Sequence, residues 1–195
     1  MNKKQELGIF TTPGLTYSEL SQAYWSAADS LFDSIVENHR RAEKNNQGSN
    51  SLEKWALSAE NSSKIFPAFY LYRHSVELLI KETLDLAYEA GKTESEPETT
   101  PPKIHALDKL FVQLLIVTKK QCDERVYAAL NSSQATVAQI NAIDKSSIKF
   151  RYKDDNQPYE RLCVLKLKAD YDEIHNVIEL AKSNLRAITD HKFTQ

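Results

Sequence analysis

The chain has 195 residues, of which 41% are hydrophobic and 27% are charged, and its formal net charge at pH 7 is −2. This composition is that of a globular protein large enough for one full core, and the charge excludes a general electrostatic attraction to nucleic acid or anionic membranes. With only 4 glycines and 6 prolines, the chain has too few turn residues for an all-β fold, and helix is favoured.

The sequence also favours a cytoplasmic location. The N-terminal stretch MNKKQELGIF lacks the apolar core of a secretory signal. The longest apolar run, residues 65–72, is far shorter than the ~20 residues that a transmembrane helix needs, so we expect no membrane association. Cys122 and Cys163 lack metal-type spacing, and free thiols in a reducing compartment are expected.

The N-terminal part predicts an arm followed by a long helix. Residues 1–16 form the arm, and Thr16 or Ser18 caps a helix that runs to about residue 43. His39, near its end, is interpreted as satisfied or solvent-facing. The apolar stripe, with steps of three and four residues, consists of Leu20, Tyr24, Ala27, Leu31 and Ile35, and Ala28 and Phe32 widen this face.

Residues 51–60 predict a short helix, and residues 64–90 predict a long, separate one with Pro67 in its first turn. The long helix has apolar residues around more than half of its circumference, which is typical of the central helix of a bundle. Its main stripe consists of Ile65, Phe69, Tyr72, Val76, Leu79, Thr83 and Leu86.

After the long helix, residues 91–103 are acidic and rich in proline, and a mobile, exposed loop is expected. Residues 106–120 predict another helix, with Leu107, Leu110, Leu114 and Val117 on its apolar face. Helical spacing continues through Val126, Leu130, Val137 and Ile140, with a break at 131–133.

The pattern then changes to a period of two. Residues 148–153 alternate apolar and basic side chains, and residues 162–167 are expected to return as the partner strand of a hairpin over 147–167. A last helix follows at about 170–189. The predicted fold class is therefore all-α in the main, a single domain over residues 17–195 built as a bundle of four to five helices, with one small β-hairpin before the last helix.

The familiar motifs of nucleotide, metal and nucleophilic sites are absent from the sequence. A di-metal site in a helical bundle requires Glu-x-x-His pairs, but no glutamate lies three residues before any of the five histidines. We therefore expect no metal and no other cofactor.

The central helix carries three ionisable residues in an apolar context: Arg73, His74 and Glu77. Arg73 and Glu77 are one turn apart, and one interpretation is an ion pair that fixes the packing of the bundle. The functional interpretation makes Arg73 an anion-binding group and His74 a proton-transfer group near neutral pH. The residues alone favour the structural interpretation and leave the other open.

Three segments in order, PAFYLYRHSVELLIK, HALDKL and DKSSIKFRYKDD, resemble those of small prokaryotic HEPN-like proteins. The resemblance covers about residues 63–155. It implies a helical bundle, a homodimer, and metal-independent RNA cleavage in antiviral-defence or toxin–antitoxin systems. In that family the catalytic signature is Arg-x4–6-His, in which the arginine stabilises phosphate charge and the histidine moves a proton.

The chain departs from that signature because Arg73 and His74 are adjacent. The literal match is the rival motif Arg186…His191 at the end of the last helix, for which the interpretation as a cationic helix end is favoured. His105 is the other candidate for a proton-transfer group beside Arg73. The basic strand face, which is expected to bind RNA phosphates or else to protect a solvated sheet edge, consists of Lys149, Arg151 and Lys153.

Two functions follow as expectations. The first is RNA binding or cleavage. In this function Arg73 binds a phosphate group, His74 or His105 transfers the proton, and Glu77 orients Arg73. The second is a non-catalytic interaction module, in which the same cluster is structural and the chain is a subunit of a larger complex with a partner protein.

Overall fold

The computed structural model describes residues 15–45, 52, 59–91, 104–144 and 163–193, and these residues are almost entirely helical. In chain order the helices are α1 (Tyr17–Lys44), α2 (Ala59–Gly91), α3 (Leu107–Thr118), α4 (Glu124–Ser132), α5 (Gln134–Ile143) and α6 (Val164–Phe193). The predicted all-α class is thus confirmed. No helix among the described residues has the length and apolar character required to cross a membrane.

Helix α2 is the central element of the bundle, as its broad apolar surface predicts. It packs against α1, α3 and α6. Its predicted stripe is buried from Ile65 through Thr83. Three side chains of this stripe, Phe69, Tyr72 and Leu79, have no exposed surface.

The predicted start of this helix at residue 64 is wrong, because α2 already includes Ala59 and continues through Pro67. A proline inside a helix removes one backbone hydrogen bond to the residue four positions earlier. Pro67 and Ser63 both lie on the exposed side of α2, where water can solvate the backbone. The helix therefore tolerates the proline.

Helix α1 begins at the predicted cap. The Thr16 hydroxyl accepts from Glu19 N at 3.2 Å, and the Glu19 carboxylate accepts from Thr16 N at 2.8 Å, which completes a capping box. The predicted burial of Ala28, Phe32 and Ile35 is confirmed, but Ala27 is exposed, and the buried face also includes Ser21, which was not predicted.

The reason lies in a close contact between small residues of α1 and α2. Ser21 Oγ donates to Ser75 O at 2.9 Å, and Ser75 Oγ donates to Ser21 O at 2.7 Å. Both serines are buried. This reciprocal pair lets the two backbones approach each other, and it turns α1 so that the row through Ser21, Ala28 and Phe32 faces α2. An apolar stripe drawn from hydrophobic residues alone omits Ser21 and wrongly includes Ala27.

Helices α4 and α5 meet at the predicted break. Asp123 caps α4 by accepting from Arg125 N at 2.8 Å, and Ser133 separates the two helices. The four apolar residues expected on this segment are all buried: Val126, Leu130, Val137 and Ile140.

The prediction of a second hairpin strand at 162–167 is wrong, because α6 begins at Val164 and not near residue 170. Leu167 N donates to Cys163 O at 2.9 Å, so this stretch is helical from its first residues. Val164, Leu167 and Tyr171 are buried at steps of three and four. A short apolar run is ambiguous between strand and helix, and here the helix buries its apolar residues on one face.

Several predicted features lie outside the described residues. They are the first hairpin strand at 148–153, the loop at 92–103, all of the N-terminal arm except Leu15 and Thr16, and most of the short helix at 51–60.

The serine contact gives a test of the α1–α2 packing. We expect Ser21→Leu to lower the free energy of unfolding by about 1–3 kcal/mol, because the larger side chain forces the two backbones apart. Urea denaturation measures the change, with Ser30→Leu on the exposed side of α1 as the matched control, which we expect to stay within about 0.5 kcal/mol. Equal effects of the two substitutions would contradict this packing.

Candidate functional site

Arg73 lies at the centre of a buried polar cluster. Its side chain has no exposed surface. Nη2 donates to His105 O at 2.7 Å, Nε donates to Asp144 O at 3.3 Å, and Nη1 lies 3.5 Å from Glu77 Oε2. One guanidinium thereby connects α2 to His105, two residues before α3, and to Asp144, the residue after α5.

An arginine suits this position because its planar group has five N–H donors spread in fixed directions. Asp144 follows the last residue of α5, so its carbonyl belongs to a helix C-terminus, whereas the carbonyl of His105 lies just outside the N-terminus of α3. Carbonyls at a helix C-terminus have no partner within the helix, and any buried carbonyl needs a donor. Arg73 supplies donors to both from the middle of α2.

Glu77 is the carboxylate of the cluster, and its side chain is 2% exposed. Oε1 accepts from Lys81 Nζ at 2.7 Å and lies 2.7 Å from His105 Nδ1, while Oε2 faces Arg73. Burial by itself raises the pKa of Glu77, but the hydrogen bonds and charges of Lys81 and His105 outweigh it and lower this pKa below its ordinary value. Glu77 is therefore ionised at neutral pH.

His105 is the accessible member of the cluster, since its side chain is 72% exposed. An ionised carboxylate only accepts hydrogen bonds, so the Nδ1 that faces Glu77 carries the hydrogen. Nε2 makes no hydrogen bond to the described residues and is left as the free position of the ring. A histidine oriented through Nδ1 by a buried carboxylate is an arrangement that can accept and return a proton at Nε2.

His74 lies elsewhere, although it is adjacent to Arg73 in sequence. Its ring packs edge-on against Tyr24 at 4.7 Å and is stacked with Tyr70 at 5.9 Å. Consecutive helical residues point about 100° apart, and here His74 faces α1 while Arg73 faces α3 and α5. The structure therefore brings together Arg73, Glu77 and His105 but places His74 in the α1–α2 contact.

The rival motif does not form a compact pair. Arg186 is half-exposed and donates from Nη2 to Glu82 Oε1 at 2.7 Å, which ties α6 to α2. His191 is exposed near the end of α6. A separation of five residues turns the side chains about 140° apart around a helix, so Arg186 and His191 do not share a face.

The remaining predicted residues, Lys149, Arg151 and Lys153, lie outside the described residues. They follow Asp144 in sequence. Arg73 donates to the carbonyl of Asp144 as well as to that of His105. Two members of the cluster were not predicted as functional residues: Lys81 and Asp144. Lys81 has a sequence signal in its i,i+4 spacing from Glu77, whereas Asp144 contributes a backbone carbonyl, which leaves no signal in a sequence.

The described residues contain no group of three or more histidine, cysteine, aspartate or glutamate side chains arranged to hold a metal ion. Comparison with protein-family models, with curated proteins and with solved structures found no match to this chain.

The ionised state of Glu77 predicts a dependence of stability on pH. The folded-state pKa of Glu77 lies below its ordinary value of 4.5, so the stabilisation it provides is present above that value and is lost as the pH falls through the folded-state pKa. We expect Glu77→Gln to be less stable than the unsubstituted chain at pH 7, and the difference in unfolding free energy to shrink as the pH approaches about 3.

Denaturant titrations from pH 7 to pH 3 measure this difference. Glu37→Gln, at a surface pair with Arg41 on α1, is the matched control, and we expect it to change stability little because exposed ion pairs contribute about 0–1 kcal/mol. A Glu77→Gln deficit that stays constant or grows on acidification would contradict the ionised, stabilising carboxylate.

Proposed function

We propose that this chain is a HEPN-like helical protein that cleaves RNA without a metal, in a prokaryotic antiviral-defence or toxin–antitoxin system, with His105 as its proton-transfer group. One observation carries the proposal: an exposed imidazole is held through Nδ1 at 2.7 Å by a carboxylate that is itself 2% exposed. The substrate class and the biological setting rest on the family resemblance of the segments around Arg73, His105 and Phe150.

RNA cleavage of this type needs a base that removes the proton of the 2′-hydroxyl and an acid that protonates the leaving oxygen. The free Nε2 of His105 suits the first role, and the imidazolium that forms can return this proton to the leaving oxygen, so that His105 ends the reaction neutral. Glu77 orients the ring and stabilises the imidazolium that forms when the proton arrives, as the carboxylate of a catalytic triad does.

Arg73 has a different role in this proposal from the one its family resemblance suggests. A side chain with no exposed surface does not bind a phosphate of an RNA strand in this conformation. Arg73 is instead a positioning residue, because its bond to His105 O holds the backbone that presents the imidazole. Phosphate binding falls to the basic residues that follow Asp144 in sequence, Lys149, Arg151 and Lys153.

The alternative is a non-catalytic interaction module, a subunit of a larger defence or regulatory complex. The observation that favours it is the same burial of Arg73, whose donors bind two backbone carbonyls and face a carboxylate of its own chain. A cluster of this kind connects three helices whether or not any chemistry occurs at its edge.

RNA cleavage in the presence of EDTA tests the proposal. We expect purified protein to cleave single-stranded RNA, and His105→Ala to lower the rate at least ~100-fold, the usual contribution of a general acid–base group. The melting temperature should fall far less than in Arg73→Ala, because the ring is largely exposed and Lys81 still donates to Glu77 Oε1. Arg73→Ala should instead lower the melting temperature strongly, since it leaves buried carbonyls without their donor.

His191→Ala is the matched histidine variant and also the test of the rival motif. Loss of cleavage in His191→Ala with full activity in His105→Ala would transfer the chemistry to the end of α6 and contradict the role of His105. Absence of cleavage by the unsubstituted protein would support the non-catalytic alternative.

A further inference from the structure

A groove with a volume of about 410 Å³ lies between α1 and α6, apart from the His105 cluster. Both helices pack on α2, but they make little backbone contact with each other. This volume is within the range of small-molecule sites. The residues of its lining that matter here are Ser18, Gln22, Trp25, His175, Glu179 and Lys182.

Two aromatic rings form one end of this α1–α6 groove. The centroids of Trp25 and His175 are 4.0 Å apart, with 33° between the ring planes. Among the described residues, neither the indole N–H of Trp25 nor a ring nitrogen of His175 has a hydrogen-bond partner. Burial is the main cause that lowers the pKa of His175, so its neutral ring offers one donor and one acceptor.

The opposite end of the groove is charged but balanced. Lys182 Nζ lies 2.6 Å from Glu179 Oε1 and 3.4 Å from Glu82 Oε2, and Arg186 donates to the other oxygen of Glu82. Two cations and two carboxylates thus neutralise one another. The Lys182 side chain is also only 5% exposed. Because these charges are already paired, the groove offers no unpaired charge to bind a charged ligand.

We propose that the α1–α6 groove binds a small uncharged molecule with several hydroxyl groups, such as the sugar ring of a nucleoside or a free sugar. A hydroxyl both donates and accepts, and it therefore matches the indole N–H, the neutral imidazole, the Ser18 hydroxyl and the Gln22 amide together. The proposal is independent of the His105 cluster and of RNA cleavage.

Tryptophan fluorescence tests this binding directly. The chain has two tryptophans, and Trp55→Phe leaves Trp25 as the single reporter, with calorimetry on the unsubstituted chain as the second measurement. The probes are adenosine, ribose and glucose, with AMP and inorganic phosphate as charged counterparts. We expect saturable binding of at least one uncharged probe with a Kd below ~1 mM. Binding of adenosine but not of ribose or glucose would indicate a nucleoside site. Binding of ribose or glucose but not of adenosine would indicate a site for a free sugar.

Two substitutions locate the binding in the groove. His175→Phe keeps a ring beside Trp25 but removes both ring nitrogens, and we expect it to weaken binding about tenfold, the effect of one lost hydrogen bond. Gln22→Ala should also weaken binding, whereas Gln139→Ala, an exposed glutamine of α5, should not.

Three results would overturn the proposal. They are no saturable binding of any uncharged probe by either measurement, undiminished binding by His175→Phe, and binding of AMP or phosphate more tightly than every uncharged probe.

Discussion

The guanidinium of Arg73 is the interaction that fixes α3 and α5 against the central helix α2. It joins three parts of the chain that are far apart in sequence: the middle of α2, His105 two residues before α3, and Asp144 directly after α5. An arginine without exposed surface is costly to bury, and removing one partner of a buried ion pair typically costs about 3–5 kcal/mol. Because both carbonyls accept its hydrogen bonds, α3 and α5 are held in place relative to α2.

The same constraint explains why one histidine remains accessible at the edge of a buried cluster. Arg73 binds the carbonyl of His105 and not its ring. The ring is thereby turned toward Glu77 on one side and toward solvent on the other. Lys81 adds a second positive charge beside Glu77 and supports its ionised state, so a buried carboxylate that would otherwise favour protonation remains an acceptor for the imidazole.

Much of the helical frame is predictable from the sequence because it follows from periodicity. The stripe from Ile65 to Thr83 places α2 at the centre, and the break at 131–133 separates α4 from α5 as expected. Periodicity fails where small polar residues form the contact, as at Ser21 and Ser75. It also fails for the short apolar run that begins α6, which fits a strand as well as a helix until its neighbours are known.

The site was predictable only in part, for a related reason. The i,i+4 spacing of Arg73 and Glu77 predicts their contact, since both lie on one helix. Adjacent residues on a helix diverge, and so the predicted partnership of Arg73 with His74 has no support in the geometry. His105 reaches Glu77 across 28 positions, and the carbonyl of Asp144 belongs to the backbone. Neither contact has a local pattern in the sequence.

The tautomer of His105 is the most direct test of this account, since it reports whether Glu77 orients the ring. Long-range ¹H–¹⁵N NMR of the imidazole distinguishes hydrogen on Nδ1 from hydrogen on Nε2. In the neutral ring we expect hydrogen on Nδ1, with Nε2 bare, and the loss of this preference in Glu77→Leu, which has no hydrogen-bond acceptor. Hydrogen on Nε2 in the unsubstituted chain, or an identical tautomer in both proteins, would contradict it.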